Sequence, residues 1–78
     1  SMRDRNWTEI FSRKGKLRPM TQEERTSLPP MSQDFWWVYE SPDGTRLFLS
    51  VDEAMFYVAH MSSKAILAHH SSEEDNHE

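Results

Sequence analysis

Large apolar side chains along this chain gather in short patches separated by polar, proline-containing stretches. In the first patch, WTEIF at 7–11, large apolar side chains alternate with polar ones as in a short strand. Ile10 breaks strict alternation and leaves a helical turn as the alternative. The second patch, FWWVYE at 35–40, is aromatic and β-prone. Its alternation puts Phe35, Trp37 and Tyr39 on one face and Trp36 and Val38 on the other, so both faces need cover. Ser41-Pro42-Asp43-Gly44 then reads as a turn, because proline presets φ at the second position and glycine accepts the left-handed backbone that closes it. TRLFLSV returns with Leu47, Leu49 and Val51 on one face and Arg46, Phe48 and Ser50 on the other, which predicts a hairpin.

Ser50-Val51-Asp52-Glu53 matches a capping box, with acids that suit the positive end of a helix dipole. A helix is expected from residue 51, with Met55, Val58, Ser62 and Ala65 at helical spacing and Ala54 and Met61 alongside, a stripe that can lie on the hairpin. Phe56, His60 and Lys64 fall on the opposite face. The Ser62-Ser63 pair lowers helix propensity, so the helix ends near Met61 or continues to about Ala68. Between the first two patches, Gly15, Pro19 and Pro29-Pro30 exclude one long element, and residues 13–34 read as a basic, proline-containing loop. Thr21-Gln22-Glu23-Glu24 fits a second capping box and admits one helical turn within it. The resulting expectation is one α+β domain over residues 3–68: a small antiparallel sheet centred on the hairpin and packed against one C-terminal helix. Trp37, Tyr39, Leu47, Leu49, Met55 and Val58 supply much of the core, and an acidic disordered tail occupies 69–78.

Composition narrows the function. A chain of 78 residues without cysteine leaves little volume for a large enzyme cavity, and its mean hydropathy of -0.84 is offset by three Trp, four Phe and two Tyr. No apolar run approaches a membrane span, and an intracellular setting is expected. The net charge of -4 comes from the tail, because residues 1–70 balance nine acids against nine bases. Within that neutral body the bases cluster at Arg13, Lys14, Lys16 and Arg18, while residues 34–53 are acidic. Serines sit at turns and caps with no base placed by motif, so no catalytic residues are assigned. His60, His69, His70 and His77 lack cysteine companions and metal-ligand spacing, and no metal or cofactor is expected.

Trp7, the Arg13-Lys14-Gly15 loop, Tyr39, the Ser41-Pro42-Asp43-Gly44-Thr45-Arg46 turn, Ser50 and Tyr57 together resemble the methyl-CpG-binding domain family over about residues 7–60. The resemblance implies a thin antiparallel sheet backed by a helix, with the first long loop along the DNA backbone and two arginines, here Arg13 and Arg46, aimed at guanines. Five residues before Ser41 that family carries an aspartate bracing an arginine, and three before it a tyrosine near the methyl groups. Trp36 and Val38 stand at those places here, the connection after Gly15 is longer, and an extra residue separates Arg46 from Ser50. The implied function is therefore a non-enzymatic nuclear, chromatin-associated module of transcription regulation, part of a larger protein, binding double-stranded DNA weakly or without methyl selectivity through Arg13, Lys14, Lys16, Arg18 and Arg46. The alternative is a peptide- or protein-binding module in which Trp36, Glu40 and Asp43 meet a basic partner such as a histone tail.

Overall fold

A computed structural model describes residues 4–29 and 34–75, with only the backbone described over 71–75. Six elements follow one another: α1 (Trp7–Ser12), β1 (Lys16–Pro19), α2 (Gln22–Ser27), β2 (Phe35–Glu40), β3 (Arg46–Ser50) and α3 (Val51–Asp75). The strands form one antiparallel sheet in the order β1-β2-β3, packed against the long C-terminal helix, so the protein is α+β as expected.

The hairpin forms over Phe35–Glu40 and Arg46–Ser50, with a register shift between Phe35 and Trp37, while Val51, expected on the strand face of Leu47 and Leu49, instead opens the helix and is exposed. Leu49 pairs with Trp37 and Leu47 with Tyr39, while Gly44 takes φ +90 and its N–H closes the turn on the Ser41 carbonyl at 2.9 Å. The Ser50 and Glu53 capping box starts α3, with bonds of 2.9 and 3.2 Å between each backbone amide and the other's side chain.

The first apolar patch is a helix and not the expected strand. Trp7, Ile10 and Phe11 have i, i+3, i+4 spacing, and Asn6 caps the turn by accepting the Glu9 amide at 3.2 Å. Ile10, which breaks the strand alternation, is the residue this helix buries. The segment read as a loop over 13–34 contains both β1 and α2. Leu17 pairs with Tyr39 and Pro19 with Trp37. Proline is tolerated because β1 is an edge strand with no further neighbour needing its missing N–H. The Thr21 box holds as predicted and opens a six-residue helix.

The two sheet faces are covered differently. Leu17, Trp37, Tyr39, Leu47 and Leu49 face α1 and α3, and the core gathers Ile10, Tyr39, Leu49 and Tyr57, with Met61 at its edge. Phe56 and His60, placed by periodicity away from the sheet, hold α1 instead. The Phe11 and His60 rings stack at 3.7 Å, and Trp7 meets Phe56 edge-on at 5.0 Å. On the opposite face Val38 is fully buried, and α2 is tied there by its charged side chains.

Two core assignments are corrected. Met55 and Val58 are 64% and 49% exposed, because α3 turns Ala54, Tyr57 and Met61 toward the sheet. The helix also passes both expected ends and runs through part of the predicted tail to Asp75; residues 76–78 lie outside the described residues. Replacing Leu49 with Ala is expected to cost about 2–5 kcal/mol in chemical denaturation, whereas Met55→Ala in dilute solution is expected to stay within about 0.5 kcal/mol of wild type. Equal losses would place Met55 in the core.

Candidate nucleic-acid interface

Tyr39 occupies the middle of β2 and has no exposed surface, so its hydroxyl must find partners inside the protein. It accepts the Gly15 amide at 3.1 Å and donates to the Arg13 carbonyl at 2.8 Å, with the Ile10 carbonyl at 3.2 Å sharing the proton. One buried oxygen thus fastens the end of α1 and the start of β1 to the hairpin. Gly15 makes the approach possible, since a Cβ there would lie 2.6 Å from Tyr39 Cζ and 2.7 Å from the Glu40 carbonyl oxygen. Tyr57 packs 4.8 Å from Tyr39 between ring centroids, and burial, aided by a hydrogen bond with Tyr39, pushes its phenol up to about 12.

The pinned loop stands beside the Ser41-Pro42 corner, with a cleft on either side. One, of about 460 Å³, is bordered by Lys14, Lys16, Arg18, Glu40 and Pro42. The other, of about 440 Å³, is bordered by Glu9, Arg13, Pro42, Asp43 and Thr45. Ser41 touches both, and its buried hydroxyl has no hydrogen-bond partner among the described residues. The RKG loop and the SPDGT turn, 26 or more residues apart, therefore form one rim.

The five predicted DNA-contacting residues divide into two groups. Arg13, Lys14 and Lys16 lie on the rim; Lys14 and Lys16 are exposed and make no ion pair among the described residues. Arg13 binds Glu9 at 2.7 Å, one helical turn back, in a solvent-facing pair that raises its already high pKa. Arg18 borders the first cleft as well, but both it and Arg46 are taken up by Glu24 of α2. Arg18 grips Glu24 with two bonds of 2.8 and 2.9 Å and reaches Glu40 at 3.1 Å, while Arg46 binds Glu24 at 2.9 Å. Glu24 also accepts the Thr21 amide at 2.9 Å. The Arg18 guanidinium first, then the Thr21 amide and Arg46, hold its carboxyl well below the ordinary carboxylate range.

The peptide-binding set is spread out. Trp36 is 54% exposed, but the Arg25 guanidinium sits 4.1 Å from its ring centroid. Glu40, roughly 13 Å along the same strand at 3.3 Å per residue, is engaged by Arg18. Asp43 at the hairpin tip accepts from the Thr45 hydroxyl and, at 2.9 Å, from the Thr45 amide, which lowers its pKa. Sequence reasoning placed Tyr39 in the core without its pinning role and Glu24 in a cap without its arginines. The first was open to inference from a buried phenol needing partners; the second depends on β1, which the sequence pattern did not disclose.

In comparisons with known proteins, no family model, curated protein or solved structure matches the chain.

The depressed Glu24 pKa has a definite sign. The carboxylate's contribution to stability is fully present above the unfolded value of about 4.3 and is lost as pH falls toward the lower folded value. Glu24→Gln is thus expected to be less stable than wild type at pH 7 and to lose less of its thermal stability between about pH 5 and pH 2. Parallel melting curves for the two proteins across that range would contradict the network.

Proposed function

We propose that this chain is a non-enzymatic, chromatin-associated module of a nuclear protein, binding double-stranded DNA through Arg13, Lys14 and Lys16 with low affinity and no selectivity for methylated CpG. The observation that carries the reading is the Tyr39 anchor, which holds the loop bearing these three cations against the hairpin turn. A held loop backbone lowers the cost of ordering the segment on phosphates, and Lys14 and Lys16 break no ion pair among the described residues to reach them.

The same geometry argues for weak base readout. A guanidinium reads guanine as an oriented fork, and Arg46 is oriented toward Glu24, which is only 8% exposed. Taking it away would leave a buried carboxylate short of a partner. Arg13 can exchange its exposed Glu9 pair for a phosphate at small cost. At the two positions where the resembling family carries its bracing aspartate and methyl-facing tyrosine, this chain has Trp36, with Arg25 against its ring, and the buried Val38, so neither a carboxylate to brace an arginine nor a phenol stands there. The histone-tail reading draws less support, because Trp36, Glu40 and Asp43 each already hold an intramolecular partner.

Titration of methylated and unmethylated CpG duplexes at several salt concentrations tests the reading. Neutralising three phosphates predicts a log-log salt slope of about -2.7, equal for both duplexes, and Lys14→Gln with Lys16→Gln is expected to reduce its magnitude by roughly 2. Absence of binding at low salt would remove the DNA reading, and a strong methyl preference would overturn the non-selective one.

A further inference from the structure

Ser41 carries a buried polar atom that the fold itself does not use. The residue is only 7% exposed, and its backbone is satisfied: the amide donates to the Thr45 carbonyl at 2.9 Å and the carbonyl accepts the Gly44 amide at 2.9 Å. Its hydroxyl has no partner, and it is the only buried side-chain oxygen or nitrogen among the described residues left without one. A hydroxyl enclosed in this way costs the free chain stability unless something outside the fold reaches it.

The position of Ser41 joins this hydroxyl to charge. It follows Glu40, which pairs with Lys16 across β1 and β2, and so stands where the chain leaves the sheet beside the loop that Tyr39 holds through Gly15. Of the two clefts that Ser41 borders, the one of about 460 Å³ sets Lys14, Lys16 and Arg18 against Glu40 alone, a net of two positive charges. Arg18 engages Glu40 there at 3.1 Å, and Lys14 and Lys16 make no ion pair among the described residues. The cleft of about 440 Å³ sets Arg13 against Glu9 and Asp43, so its net charge is negative and an anion is repelled from it.

We propose that the lysine-lined cleft seats one phosphate group, held by the charges of Lys14 and Lys16 and by the Ser41 hydroxyl as a neutral donor. This deepens the DNA reading and rests on it: the phosphate is one linkage of the duplex backbone, and Ser41 fixes where along the rim that linkage lies. A serine hydroxyl turns about a single bond, and because this one makes no hydrogen bond, bringing it to the cleft wall breaks none. A phosphodiester offers acceptors only, which suits two ammonium groups and a hydroxyl converging on it. Low local dielectric, which makes the hydroxyl costly while unpartnered, strengthens its bond once a charged acceptor arrives.

Ser41→Ala in the full chain separates this role from a structural one, because the two readouts move independently. Removing an unpartnered buried hydroxyl is expected to leave the melting temperature unchanged or raised, while affinity for a CpG duplex at fixed low salt falls on the order of tenfold. The salt slope is expected to remain that of wild type, since no charge is lost, whereas Lys16→Gln reduces its magnitude by about 1. Inorganic phosphate titrated against the isotope-labelled chain tests the seat without DNA: saturable amide shifts centred on Gly15, Lys16 and Ser41 are expected in the wild type, weakened in Ser41→Ala. Equal duplex affinity of wild type and Ser41→Ala would overturn the seat and leave the DNA reading standing. If no duplex binds at low salt, the DNA reading falls and the duplex is removed as the source of the phosphate. The phosphate titration then decides the seat itself: localised, saturable shifts uphold it and their absence overturns it.

Discussion

Burying a phenol hydroxyl in so small a core leaves it a narrow choice: it must be hydrogen-bonded within the protein or cost several kcal/mol of lost solvation. Tyr39 resolves this by accepting the amide of Gly15 and donating to the carbonyl of Arg13, with the Ile10 carbonyl of α1 sharing the proton. That choice sets where α1 ends, where β1 begins and how closely the chain passes the hairpin. It also explains a glycine in the middle of a basic run, since any side chain would collide with the Tyr39 ring and the Glu40 carbonyl. The charge rim proposed to meet DNA is thus placed by a core residue.

The opposite face of the sheet answers a different constraint. Val38 alternates away from the main core and still has to be buried, and α2 lies on that side with Glu24 between Arg18 and Arg46. A short polar helix such as QEERTS has no apolar face to bury there. Paired charges and the capping box attach it in place of hydrophobic contact. Two arginines that sequence position alone would offer to a ligand are consequently spent within the fold.

The hairpin, the turn at Gly44 and the start of α3 were legible because each is specified by adjacent residues: period-two alternation, a Pro-Asp-Gly turn and a Ser-to-Glu capping box. Over 7–11 five residues do not distinguish a short strand from a helical turn, and Ile10 with the Asn6 cap are the local signs that favour the helix. β1 escaped notice because Lys16, Leu17 and Arg18 look like a solvated charge run until Leu17 is seen opposite Tyr39. The core stripe of α3 was read one side round, since Val58 and Met55 are as apolar as Ala54, Tyr57 and Met61 and periodicity carries no information about which stripe meets the sheet. Of the candidate site, the rim residues Arg13, Lys14 and Lys16 were visible as a charge cluster. The diversion of Arg18 and Arg46 was not, because it depends on pairing across the sheet.

Tyr39→Phe tests the anchoring role most directly, because it removes one oxygen and keeps the ring. Amide hydrogen exchange, read residue by residue together with stability, is expected to show a loss of about 1–3 kcal/mol and a selective rise in exchange at Gly15, while the β2-β3 amides keep their protection relative to global unfolding. Unchanged protection at Gly15 with unchanged stability would contradict the account that one buried hydroxyl holds the basic loop in place.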